Sequence, residues 1–157
     1  MPSSIVDQFI EKSAAVNNEN YLMSKNELTK IIKPDSYANI PAINLYKDIQ
    51  IEKNGINKAF IQADYGIAET GTIVLNSTSE KLRMASSLSE HLIIILPESS
   101  IVEKLYTIEK YLREKTKQTN SYIAFITGAS RTADIERVLT IGVHGPVKMS
   151  VFIINDL

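Results

Sequence analysis

The stretch Glu90-His91-Leu92-Ile93-Ile94-Ile95-Leu96-Pro97 decides the fold class of this chain. It contains the longest apolar run of the sequence, Leu92–Leu96, which is far shorter than the ~20 residues that a membrane helix needs. A short run without polar alternation is typical of a strand that is covered on both faces, as in parallel sheets. Pro97 predicts the end of this strand, because proline has no backbone N–H to donate to a sheet.

Around this stretch the sequence predicts an alternation of strands and helices. Ile101, Leu105 and Ile108 recur at helical spacing, which predicts a helix from about Ser100 to Lys117. The order strand, helix, strand, helix, strand in the second half predicts an α/β fold, with an open, mostly parallel sheet and flanking helices. The other predicted elements are an antiparallel hairpin of Ala59–Ala68 and Thr72–Leu75, a helix at Ser79–Leu88, a buried strand at Tyr122–Thr127 and a final strand at Val147–Ile154.

The first third of the chain carries weaker patterns. Ile5, Phe9 and their apolar neighbours predict an opening amphipathic helix. Ser24 and Glu27 have the spacing of a capping box, which predicts a second short helix. Between residues 35 and 57 we expect irregular chain with one short strand at most. The length of 157 residues fits one domain, and the alternative is two small units joined near Lys53-Asn54-Gly55.

The composition is that of an ordinary globular protein and argues against several functional classes. Lys+Arg of 17 against Asp+Glu of 18 gives a net charge of −1, which argues against nucleic-acid binding. The chain has no cysteine, so it forms no disulfide and cannot ligate an iron–sulfur cluster through thiolates. With two histidines, a histidine-rich metal site is not expected either. The N-terminus lacks the features of a signal peptide, and we therefore expect a cytoplasmic protein without membrane insertion.

The segment after the predicted strand at 122–127 has the features of an anion-binding loop. A helix predicted to begin after Ser130 would direct backbone N–H groups and its dipole at a carboxylate or phosphate. Arg131 could add a bidentate contact, and Gly128, Ser130 and Thr132 would shape the loop. The alternative is structural: Ser130 caps the helix, Gly128 makes a turn and Arg131 forms a surface ion pair. Asp134 could brace this loop or simply favour the helix start.

Two further polar segments contain candidate catalytic groups. Glu69 lies between Gly66 and Gly71, where the chain can bend and hold the carboxylate away from the core as a base, a nucleophile or an orienting group. Thr70 contributes a hydroxyl nearby. His144, in Gly142-Val143-His144-Gly145-Pro146, could act as an acid or a base near neutral pH. The alternative for Glu69 is a turn residue that faces water.

These three segments together resemble the lactate-utilization protein C family, also called the LUD domain family. The matching motifs are Glu69-Thr70-Gly71-Thr72, Arg83, the strand Leu92–Leu96 with Pro97, Thr127-Gly128-x-Ser130-Arg131-Thr132-Ala133-Asp134-Ile135-Glu136, and Gly142-Val143-His144-Gly145-Pro146. The resemblance covers residues 59–154. It implies that residues 1–157 form one LUD-like domain, in which residues 1–58 are a divergent N-terminal part. It implies a NagB/RpiA/CoA-transferase-like fold, which agrees with the predicted strand order.

The resemblance also implies a function. Members of the family are associated with the oxidation of L-lactate to pyruvate alongside iron–sulfur partner proteins, so no cofactor is expected in this chain itself. Glu69 and His144 are then the catalytic candidates. The candidates for binding a small carboxylate are Thr70, Gly71, Arg83, Gly128, Ser130, Arg131 and Thr132, with Asp134 as structural support. The open alternatives are another enzyme of this fold, such as a sugar-phosphate isomerase or acyl/CoA transferase, and a non-catalytic assembly subunit; a homo-oligomer is compatible with each.

Overall fold

The computed structural model describes residues 4–32, 36–48, 56–77, 79–117, 122–128 and 148–157. The helices are α1 (Ile5–Ala15), α2 (Lys25–Ile31), α3 (Glu80–Leu88) and α4 (Glu109–Thr116), with short 3-10 helices at Pro41–Ile43, Glu98–Ser100 and Leu105–Ile108. The strands are β1 (Glu19–Met23), β2 (Tyr37–Ile40), β3 (Leu45–Lys47), β4 (Ile56–Gln62), β5 (Tyr65–Ile67), β6 (Thr72–Ser77), β7 (Ser89–Pro97), β8 (Ile101–Val102), β9 (Tyr122–Ile126) and β10 (Lys148–Ile154).

The main sheet has six strands in the order β1-β10-β7-β4-β2-β3, and all neighbours are parallel except β2 and β3. β7 pairs with β10 on one side and with β4 on the other. Its residues 92–96 are at most 3% exposed, which confirms the prediction of a strand covered on both faces. Each such side chain contributes roughly 1.5–3 kcal/mol by leaving water. The predicted fold class is thus confirmed.

A second sheet of four strands, in the order β8-β5-β6-β9, belongs to the same core as one face of the main sheet. Phe9 of α1 and Leu82 of α3 join that core together with Leu75 of β6 and Ile94 of β7. The opposite face of the main sheet is covered by α2, whose Leu28 packs in a separate cluster. The helices therefore flank the main sheet on both faces. The second sheet packs on the same face as α1 and α3, opposite to α2.

The predicted strand at 59–68 is divided between the two sheets. β4 ends at Gln62 in the main sheet, and β5 begins at Tyr65 in the second sheet. At the crossing, Ala63 N–H donates to Ile95 O at 2.9 Å and Asp64 N–H donates to Val74 O at 2.9 Å. The backbone thus changes partners within two residues without losing its hydrogen bonds, which an alternation pattern cannot reveal. The predicted antiparallel hairpin is present, and it is formed by β5 and β6 alone, without β4.

Three other predictions differ from the structure. The helix expected at 100–117 is shorter, with α4 preceded by the 3-10 helix Leu105–Ile108, because Ile101 and Val102 pair with Gly66 and Ile67 and form the edge strand β8. The strand expected at 122–127 is present as β9, but it lies in the second sheet, antiparallel to β6. Residues 36–48, which are the main described part of the range 35–57, contain two complete strands, β2 and β3, instead of one at most. In each case long-range pairing decides the outcome, and local sequence does not encode it.

Candidate functional site

The turn between β5 and β6 carries the Glu69-Thr70-Gly71-Thr72 motif and rests on helix α1. Gly71 has φ of +71°, and its N–H donates to Ile67 O at 2.8 Å. A Cβ at this position would lie 2.5 Å from Ser13 N and 2.7 Å from the carbonyl carbon of Lys12. Only glycine fits, because both the positive φ and the close approach to backbone exclude a side chain. The turn is therefore fixed against the last turns of α1.

Glu69 is held at this turn by its backbone, and its side chain is exposed. Its N–H donates to Glu103 O at 3.0 Å, and Ala68 N–H donates to Val102 O at 2.8 Å. These bonds attach the turn to β8 and the residue that follows it. The carboxylate faces the solvent from a fixed backbone, as expected both for a ligand-binding group and for an ordinary turn residue.

Three threonine hydroxyls form a chain beside Glu69. Thr70 Oγ1 and Thr72 Oγ1 are 2.7 Å apart, and Thr72 Oγ1 and Thr127 Oγ1 are 3.0 Å apart. Thr72 is 6% exposed, whereas Thr70 at the end of the chain is exposed. Three hydroxyls supply three hydrogens, and two of them are used between the threonines. The third O–H has no acceptor among the described residues, so it can donate to a ligand. We call Glu69, Thr70, Thr72 and Thr127 the threonine site.

Thr127 comes from a distant part of the sequence and is brought to this site by α1 and the residues after it. Asn18 Nδ2 donates to Thr127 O at 2.8 Å and to Ser13 Oγ at 3.1 Å. A Cβ on Gly128 would lie 3.2 Å from Val16 O, so the end of β9 also approaches α1 closely. Asn18 is 6% exposed, and its Oδ1 has no partner in the described part of the chain. The sequence reasoning missed Asn18, and its only local signal is the Asn17-Asn18 pair, in which Asn17 has φ of +69°.

The structure thus unites two of the three motifs that the sequence analysis singled out. Glu69, Thr70, Gly71 and Gly128 lie around the threonine site. Arg83 is exposed in the first half of α3, which begins after the opposite end of β6 from Thr72. Its participation in anion binding stays a prediction. The candidates that fall outside the described residues are Ser130, Arg131, Thr132, Asp134 and His144.

A second polar cluster, which we call the Ser150 network, lies at the amino-terminal ends of β1, β7 and β10. Ser150 Oγ donates to Glu19 Oε1 at 3.2 Å and is 2.7 Å from His91 Nε2. Lys148 Nζ is 3.0 Å from Glu19 Oε1. The hydrogen bond from Lys148 lowers the pKa of Glu19, and the Ser150 hydroxyl acts in the same direction. Burial lowers the pKa of His91, and the charges of Lys148 and Lys58 lower it further.

Across the six described ranges, no group of three or more His, Cys, Asp or Glu side chains has the geometry to hold a metal ion. The helices in the same ranges are too short or too polar to cross a membrane.

Comparison with known proteins identifies the family. The LUD domain family matches residues 44–154. Lactate utilization protein C of Shouchella clausii is 36% identical over 130 residues, which are 77% of this chain and 56% of that protein. Lactate utilization protein C 1 of Bacillus mycoides is 31% identical over 159 aligned positions, covering 98% of this chain and 67% of that protein.

A solved structure supports the fold independently of close sequence similarity. The crystal structure of a DUF162 family protein from Deinococcus radiodurans superposes with a TM-score of 0.66 at 18% identity, covering 98% of this chain and 100% of that one. The chain spans about half the length of several curated relatives that it matches, 56% and 42% in two cases. α1, which packs against the turn of the threonine site, and Asn18, which is bonded to Thr127, both precede the matched range. By its sequence and its fold, the chain belongs to the LUD domain family.

Proposed function

We propose that this chain acts in lactate utilization, as a cytoplasmic subunit of a system that oxidises L-lactate to pyruvate together with iron–sulfur partner proteins. The names of its relatives support the lactate assignment, since several of them are called lactate utilization protein C. The threonine site supports a substrate-binding role for this chain. Because the sequence has no cysteine, thiolate-bound clusters would have to belong to the partner proteins.

The observation that carries the proposal is the chain of hydroxyls at the turn that also carries Glu69, whose side chain is exposed. The remaining O–H of the chain can donate to the carboxylate of a 2-hydroxy acid. Glu69 is then the proposed acceptor of the proton from the substrate hydroxyl. Arg131, with Ser130 and Thr132 at the predicted helix start, would hold the substrate carboxylate from the other side, and His144 is the alternative base.

Oxidation of L-lactate to pyruvate removes two electrons and two protons from the substrate. In the proposed system the hydroxyl proton passes to Glu69 and then to solvent, and the hydrogen on Cα leaves together with the two electrons to a redox acceptor held by the partner proteins. The contribution of this chain is to bind and orient the substrate and to accept a proton. An assembly subunit would need none of these side chains, and this difference makes the proposal testable.

The test uses a tagged chain expressed in native cells that lack the untagged copy, with dye-linked L-lactate oxidation assayed in the purified complex. We expect iron–sulfur proteins to co-purify and Thr72→Val to lower the rate about tenfold or more. Thr72 joins Thr70 to Thr127, so its loss removes the orientation of the O–H that donates to the substrate carboxylate, and a hydrogen bond to a charged group contributes about 1.5–3 kcal/mol. Thr29→Val is the matched control, because Thr29 is exposed on α2 and its hydroxyl contacts only Asn26 O at 2.9 Å among the described residues.

A second pair of variants tests the carboxylate. Glu69→Gln should lower the rate with the complex intact, whereas Glu114→Gln on the exposed side of α4 should not. If Glu69→Gln and Thr72→Val both keep the full rate, the chain is an assembly subunit and the binding role is wrong. If the tagged chain purifies without partner proteins and the purified material does not oxidise L-lactate, the lactate proposal itself fails.

A further inference from the structure

Three basic side chains form a row across three adjacent strands of the main sheet. Lys58 on β4 is in register with His91 on β7, and His91 is in register with Lys148 on β10. In-register residues of parallel strands point to the same face and are about 4.8 Å apart from strand to strand. We call Lys58, His91 and Lys148 the basic row.

The basic row lies away from the threonine site. Two residues further along the same strands are Phe60, Ile93 and Ser150, and the first two pack in the cluster that contains Leu28 of α2. Side chains two apart in a strand share a face, so the row lies on the α2 face of the sheet. The threonine site belongs to the second sheet, whose core is on the opposite face. A ligand at the basic row would therefore be independent of the proposed lactate function.

The imidazole in the middle of the row is held in one orientation by a buried partner. Ser150 is 1% exposed, and its single hydroxyl hydrogen is directed to Glu19 Oε1 at 3.2 Å. His91 Nε2, 2.7 Å from Ser150 Oγ, must then be the donor in that contact. This arrangement fixes the neutral tautomer with the proton on Nε2, and the ring does not depend on solvent for its position.

The charges of the row are not balanced within the described residues. Like charges on directly neighbouring strands destabilise a sheet. Among the described residues, Glu19 is the one carboxylate bonded to the row, and its ion pair is with Lys148 at one end. Lys58 at the other end has no ion pair in the described part of the chain. Counting the described residues alone, one positive charge is uncompensated while His91 is neutral, and a second appears when His91 is protonated.

We propose that the basic row binds a doubly charged tetrahedral oxyanion, such as the phosphate group of a small molecule, between Lys58 and Lys148 and over His91. Two lysines and an imidazolium supply point charges that suit a phosphate without requiring bidentate geometry. The anion removes the repulsion along the row, and it stabilises the protonated form of His91, which burial and the two lysines otherwise disfavour. Binding of the anion and protonation of His91 are therefore coupled, and each strengthens the other.

The experiment is an NMR titration of the His91 ring proton in the whole chain. The sequence contains two histidines, so His144→Gln assigns the two signals. Inorganic sulfate is the probe, because it stays doubly charged throughout the titration, and chloride at equal ionic strength is the reference. We expect sulfate to raise the pKa of His91 by about 0.5 or more, which by linkage means about threefold tighter sulfate binding to the protonated form.

Lys58→Gln is the informative variant. It leaves the ion pair of Glu19 with Lys148 intact, whereas a change at Lys148 would release a carboxylate beside His91 and raise its pKa for another reason. Lys110→Gln on α4 is the matched control, since Lys110 is exposed and belongs to the helix that covers the second sheet. The sulfate effect should fall at least twofold in Lys58→Gln and stay unchanged in Lys110→Gln, with thermal unfolding confirming that both fold.

Three results would overturn the proposal. The first is a His91 titration that is the same in sulfate and in chloride at equal ionic strength. The second is an equal sulfate effect in Lys58→Gln and Lys110→Gln. The third is an equal response to acetate, which would assign the row to single carboxylates and not to a doubly charged oxyanion. None of these results depends on L-lactate oxidation, so failure here leaves the proposed function unaffected.

Discussion

Substitution of Gly71 by alanine tests how the turn of the threonine site is attached to α1. An L-residue at φ of +71° costs about 1–2 kcal/mol relative to glycine. The new Cβ would lie 2.5 Å from Ser13 N and 2.9 Å from Ser13 Cα. These are backbone atoms of a helix, which cannot rotate away, and overpacking of this kind costs about 1–3 kcal/mol. We therefore expect Gly71→Ala to lower the free energy of unfolding by about 2–5 kcal/mol.

Urea denaturation followed by circular dichroism measures this loss. With a slope of about 2 kcal/mol/M for a domain of this size, the midpoint should fall by about 1–2.5 M. Gly128→Ala is the matched control, because its Cβ would meet Val16 O at 3.2 Å and its backbone does not have a positive φ. It should cost less than about 1 kcal/mol. A midpoint for Gly71→Ala within experimental error of that for Gly128→Ala would refute the described contact between the turn and α1.

Three further predictions concern polar groups that are buried (Asn18) or half-buried (Asp64 and His91). Asn18→Ala should lower the free energy of unfolding by about 1–2 kcal/mol in urea denaturation and shift the Thr127 amide signal in NMR spectra, because Asn18 Nδ2 donates to Thr127 O. Burial raises the pKa of Asp64, so its ionised form destabilises the folded state, and Asp64→Asn should stabilise the fold at pH 7. The wild type should lose stability as the pH rises from 3.8 through the folded-state pKa of Asp64, whereas the variant should not. The pH dependence of stability that arises from His91 has the opposite direction. Because the pKa of His91 is lowered in the folded state, stability should be lost as the pH falls from 6.5 through the folded-state pKa, and thermal unfolding across pH 5–8 measures this loss.

Each of these has its own control. Asn26→Ala on the exposed side of α2 should change neither stability nor the Thr127 signal, and an equal effect of both asparagine variants would contradict the role of Asn18. Equal pH dependence above 3.8 in Asp64→Asn and the wild type would show that Asp64 is not the group responsible. For His91, the His91→Gln variant should lose the acid-dependent part of the curve, and an unchanged curve would assign it to other groups.

The elements that local sequence specifies were predictable. The capping box is an example: Ser24 N–H donates to Glu27 Oε1 at 3.2 Å, and Glu27 N–H donates to Ser24 Oγ at 3.2 Å. Both partners lie within one helical turn, so their spacing in the sequence determines their contact. The same holds for β7, because a run of apolar residues ended by Pro97 suits a buried strand in almost any arrangement of the chain.

Long-range pairing was not predictable in the same way. The apolar pattern at residues 122–126 predicts a buried strand, but the pattern is the same in a parallel and in an antiparallel sheet. β9 pairs with β6 because the two sheets pack around Phe9, Leu75 and Ile126 in one core. The crossing at Ala63–Asp64 likewise depends on hydrogen bonds to strands that lie elsewhere in the sequence.

In the candidate site, too, some features follow from local sequence and others from long-range contacts. The sequence by itself determined that Glu69 lies in a glycine-containing turn, since residues that tolerate positive φ are recognisable from their type. Tertiary structure decided that Thr72 meets Thr127, and that Asn18 holds the end of β9 from a position before the region that matches the family. A hydrogen bond requires two groups within about 3 Å in space, whereas a sequence records only their order along the chain.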